Sequence, residues 1–245
     1  MSIHPPPLLR RRLLLPGESL PSLLMRLAKV NHYDPPSIVI GLALGQKAEK
    51  GYYTDISRSL SPTILEHLTA LTKLDPLALY SSTYHRLAPI ITPPEIAIGA
   101  LKLADDTSVP LFTGRIAQFQ LRPEFAVQYC PECLRSLTYH RLIWVPVAVS
   151  ACLNHKCLLI NRCPQCGKPI RIRDIIETCC SRCHASLVET ELIEVQDDEF
   201  GLFSQQVIQS CMVAHFVKTQ KPTEIRAPFL LFCCYVFSMG VVSAL

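Results

Sequence analysis

Residues of the types that bind metal ions recur in the stretch from Cys130 to Cys183, which reads CPECLRSLTYHRLIWVPVAVSACLNHKCLLINRCPQCGKPIRIRDIIETCCSRC. It contains four pairs of ligands, each with two residues between its members: Cys130 and Cys133, Cys152 and His155, Cys163 and Cys166, and Cys180 and Cys183. A two-residue spacer lets both ligands of a pair reach one tetrahedral ion. We therefore predict two structural zinc ions in two zinc ribbons, with the first two pairs holding one ion and the last two pairs the other.

The last pair has an ambiguity, because Cys179 abuts Cys180 and could pair with Cys183 across three residues. We favour Cys180, since every other pair has a two-residue spacer. We interpret Cys179 and Cys157 as non-ligand thiols, and His184 as an exposed neighbour.

A disulfide framework and a redox-active Cys-x-x-Cys are the alternatives to metal binding. Disulfides need an oxidising compartment, whereas the chain starts without a recognisable secretion signal and its ligand set includes a histidine. We expect a reducing compartment.

Both predicted sites are closed, because four protein ligands leave no position for a reactive water. The sequence also lacks the His-x-Glu of zinc deaminases, the phosphate-binding G-x-x-x-x-G-K-[ST] and the nucleophile motif G-x-S-x-G. The paired acids Asp105-Asp106 and Asp197-Asp198 lie in polar, turn-like contexts typical of solvated charges. We therefore predict a protein that is not an enzyme.

The 245-residue chain is predicted to be mainly α-helical with small β zinc ribbons. The predicted segments are an N-terminal, helix-turn-helix-like domain (1–88), a linker with a short helix (89–128), zinc ribbon 1 (129–160), zinc ribbon 2 (161–187), an acidic linker (188–200) and a C-terminal helical segment (201–245).

Apolar spacing and start signals place the helices. The predicted helices cover 22–30, 37–45, 64–72 and 77–84, with a further short helix near Glu95 to Leu103. The pair 64–72 and 77–84 has the outline of a helix-turn-helix, which is also that of any small helical hairpin. The segment from Tyr139 to Val149 is rich in β-branched and aromatic residues, so we expect it to form ribbon strands.

Charge gives only weak support for nucleic-acid binding by the ribbons. From Tyr129 to Leu187 eight basic residues face three acidic ones, a formal charge of +5. Two zinc ions and seven thiolates reduce it to about +2. The candidate phosphate contacts cluster around the second ribbon, with a solvated basic face as the equal alternative; they are Arg162, Lys168, Arg171, Arg173 and Arg182.

Two later stretches differ in character from the ribbons. Residues 188–199 carry six acids and no base, which would repel nucleic acid and is typical of a solvated linker or of a face for a basic protein. Residues 227–245 carry no charge. We favour a buried packing helix there over a membrane tail anchor, because Pro228 opens the stretch at a helix-start position and Ser238, Gly240 and Ser243 interrupt the apolar run. No membrane association is expected.

The order of these motifs resembles the TniQ family of transposon target-selection proteins. The resemblance begins with Gly17-Glu18-Ser19-Leu20-x-Ser22-x-x-x-Arg26-Leu27-Ala28-x-x-Asn31-x-Tyr33. It continues through Tyr129-Cys130-Pro131-x-Cys133, Tyr139-x-Arg141-x-x-Trp144, Cys152-x-x-His155-x-x-x-Leu159, Cys163-Pro164-x-Cys166 and Cys180-x-x-Cys183. One departure is Lys156, where such proteins often carry glycine; it affects a local turn and not the ligands.

The resemblance implies a non-enzymatic adapter of the bacterial cytoplasm, with a helix-turn-helix region and zinc ribbons. Its implied partners are a TnsC-like AAA+ ATPase and a CRISPR effector complex, Cascade-like or single-protein, with guide RNA and target DNA, so that the transposase is recruited to a chosen site. The alternative is a stand-alone DNA-binding protein that reads an attachment site or a promoter.

Overall fold

The computed structural model describes residues 5–34, 37–44, 60–92, 98–103, 105–112, 121–123, 126–195, 205–206 and 209–210. The helices found there are α1 (Leu20–Val30), α2 (Ser37–Leu44), α3 (Pro62–Thr72), α4 (Pro76–Ser81), α5 (Ala88–Ile91), α6 (Pro131–Ser136) and α7 (Ile172–Glu177). Short 3₁₀ turns cover Tyr84–Leu87 and Leu142–Trp144. Two antiparallel hairpins pair β1 (Gly99–Lys102) with β2 (Ser108–Leu111), and β3 (Ala151–Cys152) with β4 (Cys157–Leu158). Mixed helices and small sheets thus agree with the predicted fold class.

Helix α1 begins after an extended residue and has a proline in its first turn. Ser19 has extended backbone angles, and Pro21 lies in the first turn, where its missing N–H costs no helical hydrogen bond. The helix ends at Asn31, whose Nδ2 donates to the carbonyl oxygen of Leu27 at 2.8 Å. One face is buried against α2 and α7; its apolar members are Leu20, Leu23, Leu24, Leu27 and Ala28.

The helical pair α3 and α4 forms with strong caps at both starts. The Ser61 hydroxyl accepts from Ile64 N at 3.2 Å, and the Asp75 carboxylate accepts from Ala78 N at 2.9 Å. Between the helices, Lys73 takes a left-handed conformation at φ 58°. Pro62 to Ser81 carries Lys73 as its one lysine or arginine, in a range that the structure describes throughout. The helical hairpin of α3 and α4 is thus present, while its assignment as a DNA-binding motif stays a prediction.

Apolar side chains form two cores. The helical core joins the N-terminal arm, the first four helices and the β1–β2 hairpin, as Leu8, Leu27, Leu68 and Leu101 illustrate. The ribbon core surrounds Tyr129 and the cysteine clusters. Part of the predicted linker therefore packs within the helical core.

The predicted helix near Glu95 to Leu103 is wrong over Gly99–Lys102, which is strand β1; residues 93–97 lie outside the described part. Leu101 is buried between exposed neighbours, the period of a strand and not of a helix. The hairpin turns at Asp105-Asp106, where Asp105 accepts from Thr107 N at 3.1 Å and Asp106 has φ 64°. Both acids are exposed, as expected for solvated charges.

The prediction of ribbon strands over Tyr139–Val149 is also wrong. A 3₁₀ turn occupies Leu142–Trp144, and the regular strands β3 and β4 follow it in the chain. Pro146 cannot donate a backbone hydrogen bond, and within this segment Arg141 and Pro146 make isolated bridges to Glu18 and Leu121 in place of a continuous ladder. Its bulky residues instead fill the ribbon core.

The described part of the acidic linker, residues 188–195, is held in place by hydrogen bonds of its backbone, while its acidic side chains are exposed to solvent. Leu158 N donates to Ile193 O at 2.8 Å, and Val195 N donates to Lys156 O at 3.0 Å, which places the segment beside β4. Arg135 Nε donates to Val188 O at 2.6 Å. The carboxylates are exposed; those described are Glu189, Glu191 and Glu194.

Of the predicted C-terminal helical segment, residues 205–206 and 209–210 are described and are helical. The apolar stretch 227–245 lies outside the described residues. Within the described part of the chain, no helix has the length and apolarity needed to cross a membrane.

The helical core yields a direct test of packing. Leu27 is fully buried in α1, so Leu27→Ala should lower the free energy of unfolding by about 2 to 5 kcal/mol. Leu9, 91% exposed, is the matched control, and Leu9→Ala should change it by less than about 0.5 kcal/mol. Urea unfolding measures both, and equal losses would contradict the assigned packing.

Candidate metal centres

Cys130, Cys133, Cys152 and His155 converge in the structure. Their donor atoms all lie within 4.8 Å of one another. The Nδ1 atom of His155 is 3.3 Å from Cys130 Sγ, 3.4 Å from Cys133 Sγ and 3.6 Å from Cys152 Sγ. The three cysteines are buried and the histidine is half-buried. We call this set the first cluster.

Cys163, Cys166, Cys180 and Cys183 form the second cluster, again with all donors within 4.8 Å of one another. Sulfur atoms of Cys163 and Cys183 are 3.5 Å apart, and those of Cys166 and Cys180 are 3.8 Å apart. Cys180, and not Cys179, belongs to the cluster. The eight ligands predicted from spacing are therefore brought together in the predicted sets of four.

The spacing within each cluster fits a tetrahedral metal ion. Donors held at about 2.3 Å for sulfur and about 2.0 Å for nitrogen lie about 3.5 to 3.8 Å apart at tetrahedral angles. Donor separations of 3.3 to 3.8 Å in the two clusters are close to these values. Both clusters could bind metal ions, and their donor types are compatible with two zinc sites.

In each cluster the pKa of one cysteine is lowered by hydrogen bonds, while that of a neighbouring cysteine, Cys133 or Cys183, is raised. Burial raises the pKa of Cys163, but backbone N–H groups of Cys166 and Gln165 stabilise its thiolate and bring the pKa down to about 7. Hydrogen bonds from the thiols of Cys133 and Cys152 lower the pKa of Cys130 to about 2. A thiol that deprotonates readily is a ready metal ligand.

Turn residues support each ligand pair. Cys130 caps α6, with Pro131 in its first turn, and Gly167 exits the Cys163–Cys166 turn at φ 67°. Lys156, where a glycine is usual in the resembled family, adopts φ 47° beside His155. A lysine is strained there, but the turn and the ligand set are both retained.

A buried carboxylate lies where the helical region meets the first ribbon. Glu18 is 1% exposed and accepts from Ser22 Oγ at 2.8 Å, from Leu15 N at 3.1 Å and from Arg26 Nη1 at 2.5 Å. Burial raises its pKa, while these donors and the Arg26 charge counter the rise. The carboxylate thereby fixes the turn before α1.

Backbone and side-chain bonds then join this turn to the ribbon. Ser19 N donates to His140 O at 3.0 Å, His140 N donates to Ser22 Oγ at 3.0 Å, and Leu142 N donates to Gly17 O at 2.7 Å. The ring Nδ1 of His140 is 3.0 Å from Ser19 Oγ. We call the contact of Pro16–Ser22 with Tyr139–Leu142 the junction.

The junction explains two of the quoted sequence motifs, whose roles spacing did not reveal. Tyr139 donates its hydroxyl to Pro16 O at 3.0 Å, and the Arg141 guanidinium lies over the rings of Tyr139 and Trp144 at 5.1 and 5.6 Å. The sequence motifs include Glu18 without assigning it a role, and they leave His140 unspecified. A charged residue directly before an apolar helix was the available signal for Glu18.

A second link joins α1 to the second ribbon. Lys29 Nζ donates to Ile176 O at 3.1 Å and lies 3.3 Å from Glu177 Oε2, although this ion pair is half-exposed and weak. Met25, Tyr33 and Arg173 line a small cavity beside it, of about 150 Å³.

The predicted nucleic-acid contacts are exposed on the second ribbon: Arg162, Lys168, Arg171, Arg173 and Arg182. Arg162 donates to Gly167 O at 3.0 Å, so it braces the turn of the second cluster. Arg171 precedes α7, and Arg173 lies on it. Exposure permits phosphate contact, and nucleic-acid binding stays a prediction.

A model of the TniQ family matches residues 10–159. The match spans α1, the junction and the whole first cluster, and covers more than half of the chain.

The chain belongs to the TniQ family.

The TniQ family is associated with transposition target selection and works with other transposition proteins. The second cluster lies beyond the matched residues. A search among curated proteins gave no match to this chain.

Metal content tests the clusters. Cys163→Ser should lower the content from about two ions per chain to about one, because a site with three ligands binds far more weakly. Cys179→Ser, at a half-buried thiol outside the cluster, is the control and should keep both ions. Mass spectrometry of purified, desalted protein reads the count. A wild-type content of one or none would refute two sites.

The buried His140 of the junction leads to a prediction about how the free energy of unfolding depends on pH. Burial lowers the pKa of His140 to about 3. A histidine with a depressed folded-state pKa stabilises the fold above its unfolded value of about 6.5, and this contribution falls as pH drops toward the folded value. His140→Asn should cost about 1 to 3 kcal/mol at pH 7. Its deficit relative to wild type should shrink at pH 5 in urea unfolding, and an equal deficit at both pH values would contradict this.

Proposed function

We propose that this TniQ protein is a non-enzymatic adapter in transposition target selection. It links a target-recognition complex, a CRISPR effector with guide RNA, to a TnsC-like AAA+ regulator and so recruits the transposase. Residues 10–159 carry the proposal, because the family match includes both sides of the junction. The junction joins helices and ribbon into one folded unit with more than one exposed face.

Two zinc ions are proposed as structural cofactors of this unit. Cys130, Cys133, Cys152 and His155 would hold one ion, and Cys163, Cys166, Cys180 and Cys183 the other. Zinc in such a closed set supplies folding free energy and no activated water. The protein therefore acts by presenting surfaces, without catalysis.

The charge distribution favours protein partners for the helical region. Helices α3 and α4 expose Glu66 and Leu77, and Lys73 is the one lysine or arginine of Pro62–Ser81. A recognition helix needs cationic and polar side chains at the DNA surface. We propose that the helix-turn-helix-like pair contacts protein, and that nucleic acid within the complex is met by the basic side chains of the second ribbon.

A stand-alone DNA-binding protein is the second candidate, supported by those same exposed cations. The test measures binding of the purified chain to its candidate attachment or promoter duplex and to random DNA at physiological salt. The adapter proposal expects little discrimination, whereas a specific DNA-binding protein discriminates by about 1000-fold or more.

The second measurement of this experiment is assembly of the chain with its proposed partners. The wild-type chain should bridge the purified ATPase and effector complex on a column, and Cys130→Ser should abolish bridging, because the first ribbon and the junction unfold together. Cys179→Ser should bridge normally. Sequence-specific DNA binding near 1000-fold together with failure to bridge would replace the adapter proposal by the alternative.

A further inference from the structure

A further sulfur lies against the first cluster. Cys157 Sγ is 3.5 Å from Cys130 Sγ, and its side chain is fully buried. This separation is no longer than those between cluster ligands, such as the 3.7 Å between Cys133 and Cys152, although Cys157 lies outside the set of four donors that are all within 4.8 Å of one another.

Strand pairing directs this sulfur toward the metal position. Cys152 and Cys157 are register partners in the β3–β4 ladder. Residues directly opposite each other in an antiparallel pair project from the same face, with their Cβ atoms about 5 Å apart. Since Cys152 faces the cluster, Cys157 faces it too.

His155 is held differently from the four cysteines. It lies in the connection between β3 and β4, next to Lys156 with its left-handed backbone, and it is half-buried. Cys157 is fixed by the ladder and by Leu158 N donating to Ile193 O at 2.8 Å. His155 is thus a half-buried ligand on a turn, whereas Cys157 is a buried residue on a strand.

We propose that Cys157 is a reserve ligand, so that the first cluster has a second, four-thiolate set made of Cys130, Cys133, Cys152 and Cys157. The metal ion bound by this second set is a divalent ion with high affinity for thiolates, such as Zn²⁺, Cd²⁺ or Co²⁺. This inference rests on the metal binding proposed above.

The test compares metal content in His155→Ala, Cys157→Ser and the double variant, with Cys179→Ser as a control for removing a non-ligand thiol. Both single variants should hold about two ions per chain after desalting against a weak chelator, because each keeps four donors at the first cluster. The double variant should hold about one, in the second cluster.

Cobalt spectroscopy gives a second readout. In His155→Ala the thiolate-to-cobalt absorbance of the first site should rise by about one third, because four thiolates replace three. The double variant provides the spectrum of the second site for subtraction.

Three results would overturn the reserve ligand: His155→Ala holding one ion, the double variant holding as many as His155→Ala, or His155→Ala unfolding while Cys179→Ser folds. The metal ion of the second cluster, whose ligands none of these variants changes, is the internal standard for the metal count. A wild-type protein without metal would contradict the proposed zinc sites, whereas two ions in wild type with one in His155→Ala contradicts the reserve ligand alone.

Discussion

A buried contact between the start of α1 and the segment after α6 holds the helical region on the first ribbon. Glu18 is removed from water and kept in place by Ser22, Arg26 and a backbone N–H. A buried carboxylate without such partners is strongly destabilising, so these residues function as a set. Around it, the backbone of Pro16–Ser22 is hydrogen-bonded to that of Tyr139–Leu142 across more than 100 residues of chain.

This junction connects metal binding to the helical region. Cys133 lies in α6, and the chain leads from that helix straight into Tyr139 and His140. A metal ion bound at the first cluster would fix α6, and α6 sets where the junction residues lie. The junction thus attaches the helical core to the ribbon core beside the first cluster, and the contact of Lys29 with Ile176 attaches α1 to the second ribbon.

Sequence spacing predicts which eight side chains come together in two sets of four, because binding of a tetrahedral ion imposes local spacing rules that four separate pairs satisfy. Helices α1, α3 and α4 were predictable from serine, aspartate and proline at their starts. The strand at Gly99–Lys102 was missed, since four residues give too short a period to separate strand from helix. The segment Tyr139–Val149 was assigned to strands because β-branched and aromatic residues also suit a buried irregular segment. Glu18 and His140 acquire their roles from contacts over long sequence separations, which no local pattern contains.

Hydrogen exchange at the junction tests whether metal at the first cluster holds the helical region on the ribbon. Cys130→Ser should accelerate exchange at the amides of Ser19 and Leu142, which donate across the junction. Cys163→Ser, in the second cluster, should leave these two amides protected. Unchanged protection in Cys130→Ser, with metal confirmed absent from the first cluster, would contradict the account.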